Sequence, residues 1–202
     1  MHRIQLTTFL KLLLQTTQEK ARSYRRYDEP GGYDFYQSFK RAVRTLTLEG
    51  RSADRAAQPI SSLSNLTERQ HNLAALDGLD RWLGNRRSFF EPPRGLYKSP
   101  SKTLSVLLKP EVGRIIRGER QVIAVWNTKE VEMNRTVAGV GVLMMHSRLR
   151  SGALSDCTFH LLDLTDGNGR LYGTGSIPNH AHALLAAEFA VADELLKQDD
   201  AA

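Results

Sequence analysis

Between residues 86 and 102 the basic side chains Arg86, Arg87, Arg94, Lys98 and Lys102 are interleaved with Phe89, Phe90 and Tyr97. Cations for phosphates and flat rings for unpaired bases are what a single-stranded nucleic-acid surface needs. The same segment also reads as a solvated connector whose Phe residues dock into a core, and both readings stand. Asp163 lies among Leu161, Leu162 and Leu164. It is either a partly buried acid with a partner, and so a candidate site and metal residue, or the polar face of an edge strand. His180 and His182 sit two apart at a helix start, where their imidazoles point roughly 200° apart around the axis and suit one metal ion poorly. Asp166-Gly167-Asn168-Gly169 has half of a calcium loop, but no carboxylate follows at the closing position, and a hairpin turn explains it better. No phosphate-binding Walker loop, Rossmann glycine fingerprint, nucleophile elbow or kinase signature is present, which argues against nucleotide-driven and common hydrolase chemistry.

Charge points the same way as the basic segment. The chain has 202 residues and a net charge of +6. Residues 1–60 hold 11 basic and 6 acidic side chains, 61–150 hold 15 and 8, and 151–202 hold 2 and 8. The positive potential of the first three quarters attracts polyanions such as DNA or RNA, since each phosphate contact releases condensed counterions, and it serves solubility as well. No run of eighteen apolar residues occurs and the amphipathic start lacks a cleavage site, so neither membrane spanning nor export is expected. Cys157 is the single cysteine and has no disulfide partner, so a reducing cytoplasm is the simplest location.

The elements that must position these residues follow from periodicity. Residues 4–27 suit one helix with Ile4, Leu6, Phe9, Leu10, Leu13 and Leu14 as its stripe, and a second helix opens at Tyr33 and reaches about Glu49. Residues 50–66, polar and bearing Pro59, read as a loop open to proteases. Thr67 and Gln70 have capping-box spacing ahead of a helix that Gly84 stops. Strands are expected at Leu104 to Leu108, Val112 to Ile116 and Gln121 to Asn127, the last two joined by a turn at Arg117-Gly118-Glu119 into a three-stranded antiparallel meander. A helix over Arg135 to Arg150 follows, with Gly139 and Gly141 allowing close packing on a sheet. A strand at Phe159 to Thr165 turns back into Arg170 to Gly173, and an alanine-rich helix ends the pattern. The expected class is therefore α/β (α+β), with a helical part and connector over residues 1–66 and an α/β core over 67–202.

The order helix, meander, helix, strand, with Pro110-Glu111 opening the second strand and Asn127-Thr128-Lys129 closing the third, is similar to the core of the PD-(D/E)XK nuclease superfamily over roughly residues 67–165. The resemblance implies that Glu111 is the first metal-binding acid, that Lys129 orients the attacking water, and that Mg²⁺ neutralises the phosphodiester. Asn127 stands where the motif wants Asp or Glu, so one negative ligand is missing. Glu130 and Glu132 are stand-ins only if the register slips, and Glu68 or Asp77 on the preceding helix could supply a further acid. Tyr33-Asp34-Phe35-Tyr36, Trp82-Leu83-Gly84 and the Pro110 to Trp126 hairpin also resemble a family of uncharacterised bacterial proteins, a likeness that implies no function. The bland alternative makes Glu111 a solvent-facing strand residue and Lys129 a charged hairpin end.

Three functions are consistent with these observations. The leading one is a cytoplasmic bacterial protein that binds DNA or RNA through a nuclease-like core with a degraded metal site, needing no cofactor. The second is an active Mg²⁺-dependent nuclease. The third is a non-catalytic interaction module or homo-oligomer, paired through Ala183, Ala186, Ala187 and Ala190 of the last helix.

Overall fold

The apolar, β-branched runs pair into two mixed sheets, and helices cover both faces of the larger one. The computed structural model describes residues 2–27, 34–85, 88–128 and 131–199. Its elements are β1 (His2–Gln5), α1 (Leu6–Leu12), α2 (Thr17–Tyr27), α3 (Gln37–Thr47), α4 (Ala53–Ser61), α5 (Leu66–Leu83), β2 (Phe89–Phe90), β3 (Gly95–Lys98), β4 (Leu104–Leu108), β5 (Val112–Ile116), β6 (Glu119–Trp126), α6 (Arg135–Leu149), β7 (Thr158–Asp163), β8 (Arg170–Tyr172) and α7 (Ala181–Asp199). The mixed α/β class expected from the sequence is the class observed. No helix among the described residues is long and apolar enough to cross a membrane.

The five-stranded sheet runs β2-β5-β6-β7-β8. Strand β6 is its spine. Val122, Ala124 and Trp126 point into one core with α1, α6 and α7, whereas Ile123 and Val125 point into a second core with α3, α4 and α5. Burial on both faces is why β6 reads as a nearly unbroken apolar run rather than an alternation. Arg117 and Gly118 both have positive φ, 52° and 84°, and make the two-residue turn that pairs Ile116 with Glu119. From β6 the chain crosses through α6 to β7, which pairs in parallel.

The third neighbour of the β5–β6 hairpin is β2, not Leu104–Leu108. Strand β4 belongs instead to a separate sheet ordered β1-β4-β3. Strand β4 is already paired on both edges, by β1 and β3, and Pro110 in the connector to β5 has no N–H to continue a ladder. Residues 4–27 are likewise not one helix. Ile4 pairs in parallel with Val106. A capping box then starts α2, the Glu19 carboxylate accepting from the Thr16 N–H at 2.7 Å and Thr16 Oγ1 from the Glu19 N–H at 3.4 Å.

Residues 50–66, expected as a loop, contain α4. Ser52 Oγ caps it by accepting from the Arg55 N–H at 3.4 Å, and Ala56 and Ile60, one turn apart, are fully buried. Pro59 is tolerated near the end of this short helix because only one hydrogen bond is lost there. The cap of α5 is Asn65, which accepts from the Glu68 N–H at 3.1 Å, in place of Thr67. Gly139 packs against the carbonyl of Ser176, where an added Cβ would stand 2.2 Å from that oxygen, while Gly141 faces Leu10 and Leu161.

Candidate anion-binding cleft around Glu111

Four segments converge on one basic cleft. Along α3 the residues Gln37, Lys40, Arg41 and Arg44 recur at helical spacing opposite the buried Phe39, Ala42, Val43 and Thr47. A helix that buries one stripe necessarily presents the other. The β2–β3 connector brings Glu91, Pro92 and Arg94, the β4–β5 connector brings Lys109, Pro110 and Glu111, and Gln5 comes from the junction of β1 and α1. Together they enclose about 250 Å³.

Five basic and three acidic side chains line this cleft, but they are not equally committed. Lys40 pairs with Asp34 at 3.0 Å, and Glu91 takes both Arg44 at 3.1 Å and Arg94 at 3.0 Å. Arg41 and Lys109 are exposed and make no ion pair with a described residue. Lys40 and Lys109 are the cations whose charge reaches the third acid, Glu111.

Glu111 ends the β5–β6 ladder. Its N–H donates to the Ile123 carbonyl at 3.1 Å, and its Oε2 accepts from the Val125 N–H at 2.8 Å. That second bond satisfies a strand donor for which the turn at Pro110 leaves no backbone partner. Glu111 is half-buried as a residue, and its carboxyl is enclosed well enough that burial pushes its pKa up to about 7. The Val125 N–H and the nearby charges of Lys40 and Lys109 oppose the rise without cancelling it.

The register separates the residues that the nuclease resemblance would join. Val112 pairs with Ile123, so Glu111 stands across from Ala124. Asn127 is three residues further along, about 10 Å at strand spacing, and alternation sends it to the other face. Asn127 is buried, its carbonyl accepts from His71 Nε2–H of α5, and its Nδ2 has no partner among the described residues. Lys129, Glu130, Arg86 and Arg87 lie outside the described residues. Glu132 is exposed, and Asp77 is an exposed partner of Arg81 at 3.1 Å.

Glu68 is buried and accepts from Ser38 Oγ at 3.3 Å, the same hydroxyl that takes Asn72 Nδ2 at 2.8 Å, so it ties α3 to α5. Asp163 is the acid of a turn, accepting from the Thr165 N–H at 3.0 Å and Thr165 Oγ1 at 2.7 Å. Asp166 likewise accepts from the N–H groups of Asn168 and Gly169 at 2.9 and 3.2 Å, as a hairpin turn requires. His180 and His182 are both exposed.

A Mg²⁺ site does not fit around Glu111. Its surroundings are ammonium and guanidinium groups, the residue across the ladder is alanine, and its burial favours the protonated acid, whereas Mg²⁺ needs ionised oxygen donors. No group of three or more His, Cys, Asp or Glu among the described residues is placed to hold a metal ion.

Of the basic segment, Arg94 enters the cleft, while Lys98 and Lys102 lie at the far end of the β3–β4 hairpin, Lys102 at a φ of 61°. The rings between them are occupied within the fold. Tyr97 stacks on Phe189 with centroids 5.8 Å apart, Arg120 covers Phe90 at 4.7 Å, and Phe89 packs on the second core. Sequence reasoning missed Lys40, Arg41, Arg44 and Lys109. The signal was there for the first three, as a basic stripe at helical intervals behind Phe39 and Val43. For Lys109 there was none, since only the fold brings it to α3.

No family model matches the chain, and neither the curated proteins nor the solved structures contain a match to it.

Proposed function

We propose that this protein binds nucleic acid through its phosphate backbone, with the cleft between α3 and the two connectors as the seat of the contact. The observation that carries the reading is the pair of uncommitted cations, Arg41 and Lys109, beside a wall of further basic groups. A guanidinium presents a fork matched to two phosphate oxygens, and an ammonium adds a point charge beside it. Arg94, held by Glu91, lines the same cleft, while Lys98 and Lys102 at the far end of the β3–β4 hairpin add to the general basic surface. The basic excess over residues 1–150 supplies the long-range attraction. We place this activity in the bacterial cytoplasm, where the lone buried thiol of Cys157 has no oxidising demand to meet.

Fluorescence anisotropy of labelled single-stranded and duplex DNA and RNA, titrated with the protein at several salt concentrations in EDTA, tests the proposal. The expected result is binding that weakens steeply with salt. Arg41→Ala and Lys109→Ala should each weaken it across sequences and reduce the log–log salt slope by about 1. Binding indifferent to salt, or absent at low salt, defeats the proposal.

A further inference from the structure

We propose that the cleft cleaves RNA without a metal ion, Glu111 taking the proton of a ribose 2′-hydroxyl while Lys40, Arg41 and Lys109 neutralise the charge that builds on the phosphate oxygens. This rests on the nucleic-acid-binding reading and extends it to a reaction. The geometry is that of an oriented base. One carboxylate oxygen, Oε2, is fixed by the Val125 N–H at 2.8 Å. Glu111 lines the cleft whose walls carry the cations. A general base works best when its affinity for a proton is near the working pH, and burial has moved this acid to about 7. Fixed positive groups around a phosphate stabilise the oxygens that gain charge in the transition state.

The charges that act on Glu111 are those of Lys40 on α3 and Lys109 on its own connector; Arg41 and Arg44 of α3, Asp34 paired with Lys40, and Glu91 with Arg94 line the same cleft. In the step the 2′-oxygen forms a bond to phosphorus and its proton passes to Glu111. The bond from phosphorus to the 5′-oxygen breaks, and the departing oxygen takes a proton from the ammonium of Lys40 or Lys109. The protonated acid and the neutral amine then exchange through solvent. The products are a 2′,3′-cyclic phosphate and a 5′-hydroxyl, with no water consumed and no oxidation.

The test uses the full chain, a 5′-labelled single-stranded RNA and EDTA throughout, with binding measured by anisotropy in the same mixture. Cleavage ending in 2′,3′-cyclic phosphate is expected, with the DNA of the same sequence left intact. Glu111→Gln, which keeps an oxygen for the Val125 N–H, should bind RNA within a few-fold of the parent and cleave it 10²- to 10⁴-fold more slowly. A single 2′-deoxynucleotide at the cut site should abolish cutting there whatever the variant's folding. RNA that binds and stays whole overturns the cleavage and leaves the binding reading standing. Equal cutting of DNA, or an unchanged rate in a folded Glu111→Gln protein, also overturns it. Absence of binding removes both.

Discussion

Glu111 costs the fold stability for as long as it is ionised. Its folded pKa lies near 7 against an ordinary value of 4.5, so the protonated form is favoured on folding. The contribution is complete below pH 4.5 and is lost as pH rises through 7. His160 slopes the other way, since burial first and the Arg114 charge second lower its pKa to about 4. It contributes above pH 6.5, and that contribution is lost as pH falls towards 4. Glu111→Gln should therefore match the parent near pH 4.5 and exceed it by at most about 3 kcal/mol by pH 8, read from chemical denaturation across that range. Equal stability at both ends would mean that the carboxyl is not desolvated. Glu111 itself was legible as a singular acid beside a proline. Its neighbours were not, because α3 and the Lys109 connector are some seventy residues apart.

Elements with strong local signals were read correctly and those decided by pairing were not. The Arg117-Gly118 hairpin, α6 and the Asp166 turn all follow from short-range chemistry. Strand β1 contradicts its own helical periodicity because tertiary pairing with β4 outweighs it. Helix α4 was hidden by Pro59, although Ser52, Asp54, Ala56 and Ile60 carried a cap, an acidic first turn and an apolar pair. Ser52→Ala should destabilise the protein by about 1 kcal/mol in a denaturant titration, a loss that a mere loop would not show. Gly139→Ala is a harsher probe of α6. A Cβ placed 2.2 Å from the Ser176 oxygen and 2.7 Å from Pro178 Cδ must push the Thr174–Ser176 turn away, which should lower stability by about 1–3 kcal/mol. An unchanged melting temperature would contradict that contact.

Across the molecule, the two ends of the chain are joined by a buried ion pair between Lys20 of α2 and Glu188 of α7. Removing one partner leaves a buried charge, so Lys20→Met should cost about 3–5 kcal/mol, while Lys20→Met with Glu188→Leu should recover much of the loss. A double variant no better than the single one would show that the pair contributes net stability. Helix α7 uses Leu185, Phe189 and Leu196 for this packing and leaves Ala183, Ala186, Ala187 and Ala190 exposed. The parallel pairing of β1 with β4 has a consequence during synthesis. Residues 2–5 lie in register with residues 104–107, so β1 leaves the ribosome about a hundred residues before the strand it pairs with. Until then Ile4, Leu6 and Phe9 have no sheet to join, and the nascent amino-terminal segment is a natural client for a chaperone that holds short apolar stretches.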